Sequence, residues 1–181
     1  VLATVAALRR QGRTVRVLVR RPVAAWQGDA GIQTVIGDLG DPRIVDHAVF
    51  GAGIVYHVGA AMRGGPRDFE AGTVWGTRNV LEACRRHASP RLVYVSSMSV
   101  YDHAGRGEGE TLTEAYRFEP CPERRGAYTQ TKLDAERMVS EAVRDGLPAV
   151  ILRPGQIFGP GAEAVTPNGT VALAGRWLAI G

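Results

Sequence analysis

The sequence predicts an α/β fold built on a doubly wound parallel sheet, and three observations carry that expectation. Short apolar runs rich in β-branched residues recur along the chain, segments of helical periodicity separate them, and the two longest irregular stretches each follow a strand. Parallel strands need crossovers, which are usually helices, so a strand–helix–strand repeat calls for a sheet covered on both faces.

Val1 to Gln11 has a helical pattern closed by Gly12, a residue suited to the position after a helix end. Thr14 to Arg20 (TVRVLVR) alternates as a strand does, and Ile32 to Ile36, Gly53 to Val58, Arg91 to Ser96 and Ala149 to Leu152 read as further short strands. Helices are expected at Pro42 to Phe50, Thr73 to His87 and Ala127 to Arg144. Met98 to Gly126 and the Gly/Pro-rich run Gly159 to Gly169 remain irregular, and loops of that length are usually functional or disordered. Both follow the carboxyl ends of strands, where open parallel sheets bind ligands.

The 181 residues, 45% hydrophobic and 22% charged, suit one globular domain with a sizeable core. The net charge of +4 and pI near 9.5 come from arginines scattered without a basic stripe, so no nucleic-acid partner is expected; an acidic nucleotide is the expected anionic ligand. No apolar run reaches the roughly 20 residues of a membrane span, and Val1 to Leu8 leads into Arg9 and Arg10 without a cleavage pattern, so no membrane partner is expected. Cys84 and Cys121 have no metal-binding spacing, which fits a reducing cytoplasm, and His57 reads as a packed core residue. The tripeptide Asn168-Gly169-Thr170 matches a glycosylation acceptor and is read as a chance match.

Tyr128 and Lys132 carry the sharpest chemical signal. Their spacing on a helix puts phenol and ammonium on one face, a single turn apart. A phenol with a pKa near about 10 is a poor base at neutral pH, and a nearby cation favours the phenolate. Lys132 is the only lysine beside 21 arginines, so a composition that otherwise uses Arg keeps a compact point charge here. The segment VYVSSMSVY, Val93 to Tyr101, ends a strand in hydroxyls, where Ser96, Ser97 or Ser99 can meet a substrate oxygen or simply make a turn.

These elements resemble the extended short-chain dehydrogenase/reductases, the NAD(P)-dependent epimerase/dehydratase family. The motifs come in the family's order: GDL (Gly37 to Leu39), YHVGAA (Tyr56 to Ala61), WGTRNVLEAC (Trp75 to Cys84), VSSMSVY, YTQTK and LRPGQIFGPG (Leu152 to Gly161). The resemblance implies a Rossmann-like fold, Tyr128 as catalytic acid/base, Lys132 as its tuning cation and nicotinamide-ribose ligand, and Ser97 as the substrate-oxygen ligand. It also implies an adenine contact at Asp38 and Leu39, a small-residue wall under the ribose and pyrophosphate at Val58, Gly59, Ala60 and Ala61, and a nicotinamide-side loop at Pro154, Gly155, Gln156 and Ile157.

Arg20 and Arg21 stand at the end of the second strand of that fold, where Arg accommodates a 2′-phosphate, so NADP is favoured over NAD. Thr73 stands where many relatives carry Asn. The family's Gly-rich phosphate loop is not in the sequence, which leads to the expectation of a fold truncated at both ends. Residues 1–158 then form a dinucleotide-binding domain lacking its first strand, residues 159–181 begin an incomplete substrate region, and the fragment alone is expected to be inactive. The resemblance further implies a small-molecule substrate, with a nucleotide sugar leading and a hydroxysteroid or flavanone-like ketone as the alternative, and a homodimer. A dinucleotide-binding redox sensor without catalysis is the rival reading.

Overall fold

The computed structural model describes residues 1–88, 90–157, 170–173 and 176–179. Helix α1 (Leu2–Arg10) leads into β1 (Val15–Val19), which pairs in parallel with β2 (Ile32–Ile36) from Val15↔Ile32 to Val19↔Ile36. Helix α2 (Pro42–Val49) connects to β3 (Ile54–His57). A continuous helical segment follows, made of α3 (Pro66–Phe69), a π-helical turn at Glu70–Trp75 and α4 (Gly76–Arg86). Strand β4 (Arg91–Val95), helix α5 (Ala127–Arg144) and β5 (Ala149–Leu152) complete a parallel sheet in the order β3-β4-β5.

Local chemistry sets the ends of these elements. Gly12, at φ 72°, supplies the left-handed residue after α1. Asp41 caps α2 by accepting from the Arg43 amide at 2.9 Å, with Pro42 at the first helical position, where its missing N–H costs nothing.

The fold is a doubly wound α/β arrangement. Helices α2, α4 and α5 pack on one side through Val45, Val80, Cys84, Leu92, Tyr94 and Val139. Helix α1 lies on the other side, where Val5 meets Val17 and Trp26. Because successive strand residues face opposite ways, Val17 reaches α1 while its neighbour Leu18 packs on the larger core.

Several expectations are revised. The sheet comes in two pieces: β1 pairs with β2 and β3 with β4, and among the described residues no strand joins the facing edges of β1 and β3. A cleft of about 790 Å³, lined by Val5, Val15, Val17, Val55 and Val80 among others, separates them. Helices cover both faces at β1 but not at β3–β5, where Ile54, Tyr56, Val150 and Leu152 stay exposed. The helix expected from Thr73 begins at Pro66 and runs through the π-turn.

The segment from Met98 to Gly126 is more structured than its composition implied. It holds 3-10 turns at Met98–Val100 and Pro122–Arg125, a Tyr101↔Phe118 bridge, and an Asp102–Arg117 ion pair at 2.7 Å. Strands β6 (Thr170–Leu173) and β7 (Arg176–Ala179), paired antiparallel, were not anticipated. Residues 158–169, including the whole of the second Gly/Pro-rich run and Asn168 and Gly169 of the acceptor tripeptide, lie outside the described residues.

Candidate active site

Gly126, at φ 90°, turns the chain into α5, so that Tyr128 and Lys132 open the helix one turn apart. Lys132 is 3% exposed. Its Nζ donates to the Val95 carbonyl at 2.7 Å, at the carboxyl end of β4, and sits 5.2 Å from the centre of the Tyr94 ring. Burial pushes its ammonium down to about 8, opposed by the carboxylate of Glu136. Tyr128 stays half-buried.

Ser97 follows the same strand end. Its Oγ accepts from the Ser99 amide at 3.1 Å, capping the Met98–Val100 turn and leaving its own hydrogen free to donate to a substrate oxygen. The turn-making role offered for a strand-end serine is therefore present at Ser97. Ser96 is buried at 3% exposure, which sets it apart from half-buried Ser97. The Ser96 amide donates to the Leu152 carbonyl at 2.7 Å and the Met98 amide to the Pro154 carbonyl at 3.0 Å, so the ends of β4 and β5 are stitched together with Ser97 between those bonds. Gly155 follows, where an added Cβ would meet Met98 Sδ at 3.2 Å; half-buried Gln156 and exposed Ile157 continue the segment.

The loops after β2 and β3 also meet. Asp38 accepts from the Gly40 amide at 2.8 Å through Oδ1, so it does close a turn, while its other oxygen carries no hydrogen bond among the described residues. The Leu39 carbonyl accepts from Asn79 Nδ2 at 2.8 Å, and its side chain lies against Gly59, where an added Cβ would stand 2.5 Å from Leu39 Cδ1. A side chain at 59 would require the end of Leu39 to shift. Val58, Ala60 and Ala61 are half-buried beside it. Arg20 and Arg21, after β1, are exposed and have no carboxylate partner among the described residues.

The sequence reading did not foresee several supporting groups. Thr73, noted only as a departure from the family, is 1% exposed and accepts from the Ala61 amide at 3.1 Å, pinning the loop after β3 to the π-turn. Tyr94 and the Val95 carbonyl form the seat of Lys132. Glu136 lies four residues after Lys132, a spacing that was legible, and is fully buried against Arg153. His57 is a packed core residue as expected, 2.9 Å from Thr77 Oγ1, and burial pushes its imidazole down to about 3. No group of three or more potential metal ligands occurs among the described residues, and none of their helices is long and apolar enough to cross a membrane.

A parallel α/β sheet with its polar residues gathered at the strands' carboxyl ends defines a nucleotide-binding protein of the Rossmann type. The chain belongs to the NAD dependent epimerase/dehydratase family, whose sequence pattern matches residues 2–176, within the extended short-chain dehydrogenase/reductases. It is 39% identical over 141 residues to the 2-alkyl-3-oxoalkanoate reductase of Stenotrophomonas maltophilia, covering 76% of this chain and 42% of that protein. It is 35% identical to the decarboxylating sterol-4-alpha-carboxylate 3-dehydrogenase of Saccharomyces cerevisiae, covering 73% and 38%. Among solved structures it resembles MoeE5 in complex with UDP-glucose and NAD, at 26% identity and a TM-score of 0.71, covering 88% and 52%. The chain spans about half the length of these relatives or less.

Proposed function

We propose that the chain carries the dinucleotide-binding and acid–base part of an NAD(P)-dependent oxidoreductase acting at a carbinol or carbonyl carbon. The observation that carries this reading is the buried Lys132 ammonium, held one turn from Tyr128 at the end of β4. Tyr128 exchanges the proton with the substrate oxygen, Lys132 supplies the positive charge beside it, and Ser97 donates a hydrogen bond to the same oxygen.

The residues present fit a dinucleotide. Asp38 keeps one oxygen outside its turn, Val58 to Ala61 offer little side chain, and Arg20 and Arg21, exposed and without a carboxylate partner among the described residues, suit an added phosphate, favouring NADP. Leu39 would pack beside the adenine, Lys132 would hold the nicotinamide ribose, and Pro154, Gly155, Gln156 and Ile157 would line the nicotinamide side. When bound, the dinucleotide supplies or accepts the hydride. We assign residues 1–158 to this domain and 159–181 to the start of the substrate region. The open cleft between β1 and β3 has room for a further strand, from whose end a phosphate-cradling turn would reach a dinucleotide.

The substrate we favour is a 3-oxo or 3-hydroxy acid with an apolar substituent beside its carboxylate. Both curated relatives above act on that chemistry by name: one reduces a 2-alkyl-3-oxoalkanoate, the other oxidises the 3-position beside a sterol 4-carboxylate. Exposed Met62 and Ile157, after β3 and β5, offer an apolar rim that suits it. A nucleotide sugar is the second reading, supported by the likeness to MoeE5. A homodimer through α4 and α5 and a cytoplasmic location rest on the family resemblance and on Cys84 and Cys121 being free.

The test is a chain extended at its N-terminus by a β-strand and a Gly-x-x-Gly-x-x-Gly turn, assayed for NAD(P)H-linked reduction of a 2-alkyl-3-oxoalkanoate and of a UDP-4-ketosugar. Turnover of the first, lost on the order of 10²–10⁴-fold in Tyr128→Phe with cofactor binding retained, supports the proposal. Turnover of the ketosugar alone selects the second reading. Dinucleotide binding with no Tyr128-dependent turnover of either sinks the enzymatic reading in favour of a redox sensor.

A further inference from the structure

Lys132 shares its buried surroundings with a second cation. Glu136, one helical turn along α5 and fully buried, accepts on Oε1 from both Nε (2.9 Å) and Nη2 (2.7 Å) of Arg153, the residue that follows β5. Arg153 Nη1 donates to the Tyr101 hydroxyl at 2.8 Å and to the Glu114 carbonyl at 3.3 Å, and the guanidinium lies 5.2 and 5.6 Å from the ring centres of Tyr101 and Phe118. One arginine therefore ties α5, the end of β5 and the turn that begins at Ser97. Glu136 Oε2 is buried without a partner among the described residues. A carboxylate oxygen left that way is costly, and Lys132, one turn back on the same helix, is buried with it, whereas the adjacent Arg137 is exposed and pairs with Asp134.

The titratable and charged groups around Lys132 are His57 from β3, Tyr94 from β4 and Glu136 from α5, with Arg153 acting through Glu136 and Tyr128 one turn back on α5. Of these, Glu136 is the one carboxylate, and Arg153 engages it. Among the described residues, the Lys132 ammonium meets a backbone carbonyl and an aromatic face and no carboxylate directly. A lysine paired directly with a carboxylate would have its field cancelled at the neighbouring phenol.

We propose that Glu136 and Arg153 are positioning residues for the acid–base site: Arg153 engages the Glu136 carboxylate, leaving the Lys132 ammonium without a direct carboxylate partner one turn from Tyr128, and anchors α5 to the Ser97 turn. The proposal rests on the reading of Tyr128 and Lys132 as the acid–base pair, and its test needs neither substrate nor cofactor.

Because the chain has a single lysine, selective ¹³Cε-lysine labelling gives one side-chain resonance whose pH titration reports Lys132 alone. The wild-type midpoint is expected near 8. Glu136→Gln removes the carboxylate and lowers the midpoint, by about one unit or more. Arg153→Met frees the carboxylate to pair with Lys132 and raises it by a comparable amount, and the double variant returns to within about half a unit of wild type. Single variants that move the midpoint in the same direction, or not at all, overturn the proposal. If Arg153→Met does not fold, the double variant, with no charge left unpaired, is compared with Glu136→Gln: a higher midpoint upholds the proposal and an equal one overturns it. If the midpoints move as stated but Tyr128→Phe leaves turnover intact in the extended chain, the charge arrangement stands and the enzymatic reading fails.

Discussion

Lys132 Nζ donates to the carbonyl of Val95, 37 residues earlier in the chain, at 2.7 Å. The bond joins the start of α5 to the end of β4, and it places a cation where the surroundings disfavour one. The site is built at the expense of stability.

That expense is measurable. The Lys132 value in the folded chain, about 8, lies below the free value of 10.5, so burial penalises the charged form. The penalty, about 3 kcal/mol, is fully present below pH 8 and is relieved as pH rises from 8 to 10.5. Lys132→Met removes it but leaves the Val95 carbonyl without its donor, a loss of about 1 kcal/mol. At pH 7 the variant is expected to melt roughly 4 to 8 °C higher than wild type, with the difference shrinking as pH rises. A lower melting temperature at pH 7 contradicts the assignment of Lys132 as a strained buried cation.

His57 gives the opposite limb of the pH profile. Its imidazole titrates at about 3 when folded and 6.5 when free, so the unfolded chain takes up a proton as pH falls through 6.5 and the folded one does not. Stability should fall by about 1.4 kcal/mol per pH unit from 6.5 towards 3, about 5 kcal/mol in all. His57→Gln, which retains a polar atom for Thr77, should flatten that slope in urea titrations between pH 7 and 4. An unchanged slope would assign acid sensitivity to other groups.

The two thiols should differ in reactivity. Cys84 is fully buried in α4, and burial pushes its thiol up to about 11, whereas Cys121 is half-buried in the loop before α5. A thiol reagent at pH 8 is expected to modify one cysteine quickly in the native chain and both in denaturant. Equal native rates would mean that α4 opens on the timescale of the reaction.

Arg20 and Arg21 set an expectation for cofactor choice. In the N-terminally extended chain, Arg20→Ala/Arg21→Ala is expected to weaken NADP binding about tenfold or more while leaving NAD within about twofold, measured by calorimetry. Tighter binding of NAD by the unmodified pair would refute the NADP preference.

Every strand from β1 to β5 was legible in the sequence to within a residue or two, because alternation and helical periodicity are local properties of the backbone. The places of Tyr128 and Lys132 at the start of α5 were legible for a related reason, since the pattern fixes that helix end, whereas the strand-end pattern left Ser96, Ser97 and Ser99 open and only the family resemblance singled out Ser97. The π-turn holding Thr73 to the Ala61 amide carries no periodic signal, and it lengthened the expected helix by seven residues, from Thr73 back to Pro66.

What only the tertiary structure decided is which distant groups share one volume. Glu136 and Arg153 are 17 residues apart, and Arg153 and Tyr101 are 52 apart; their meeting depends on where α5 lies over the sheet. The sequence by itself determined the α/β fold, the family and the helix that carries Tyr128 and Lys132, since these follow from residue order and periodicity. The division of the sheet at β1 and β3, the seat of Lys132 on Val95 and Tyr94, and the capture of Glu136 by Arg153 arise from packing. Burial and charge balance among residues far apart in the chain are set by the fold as a whole.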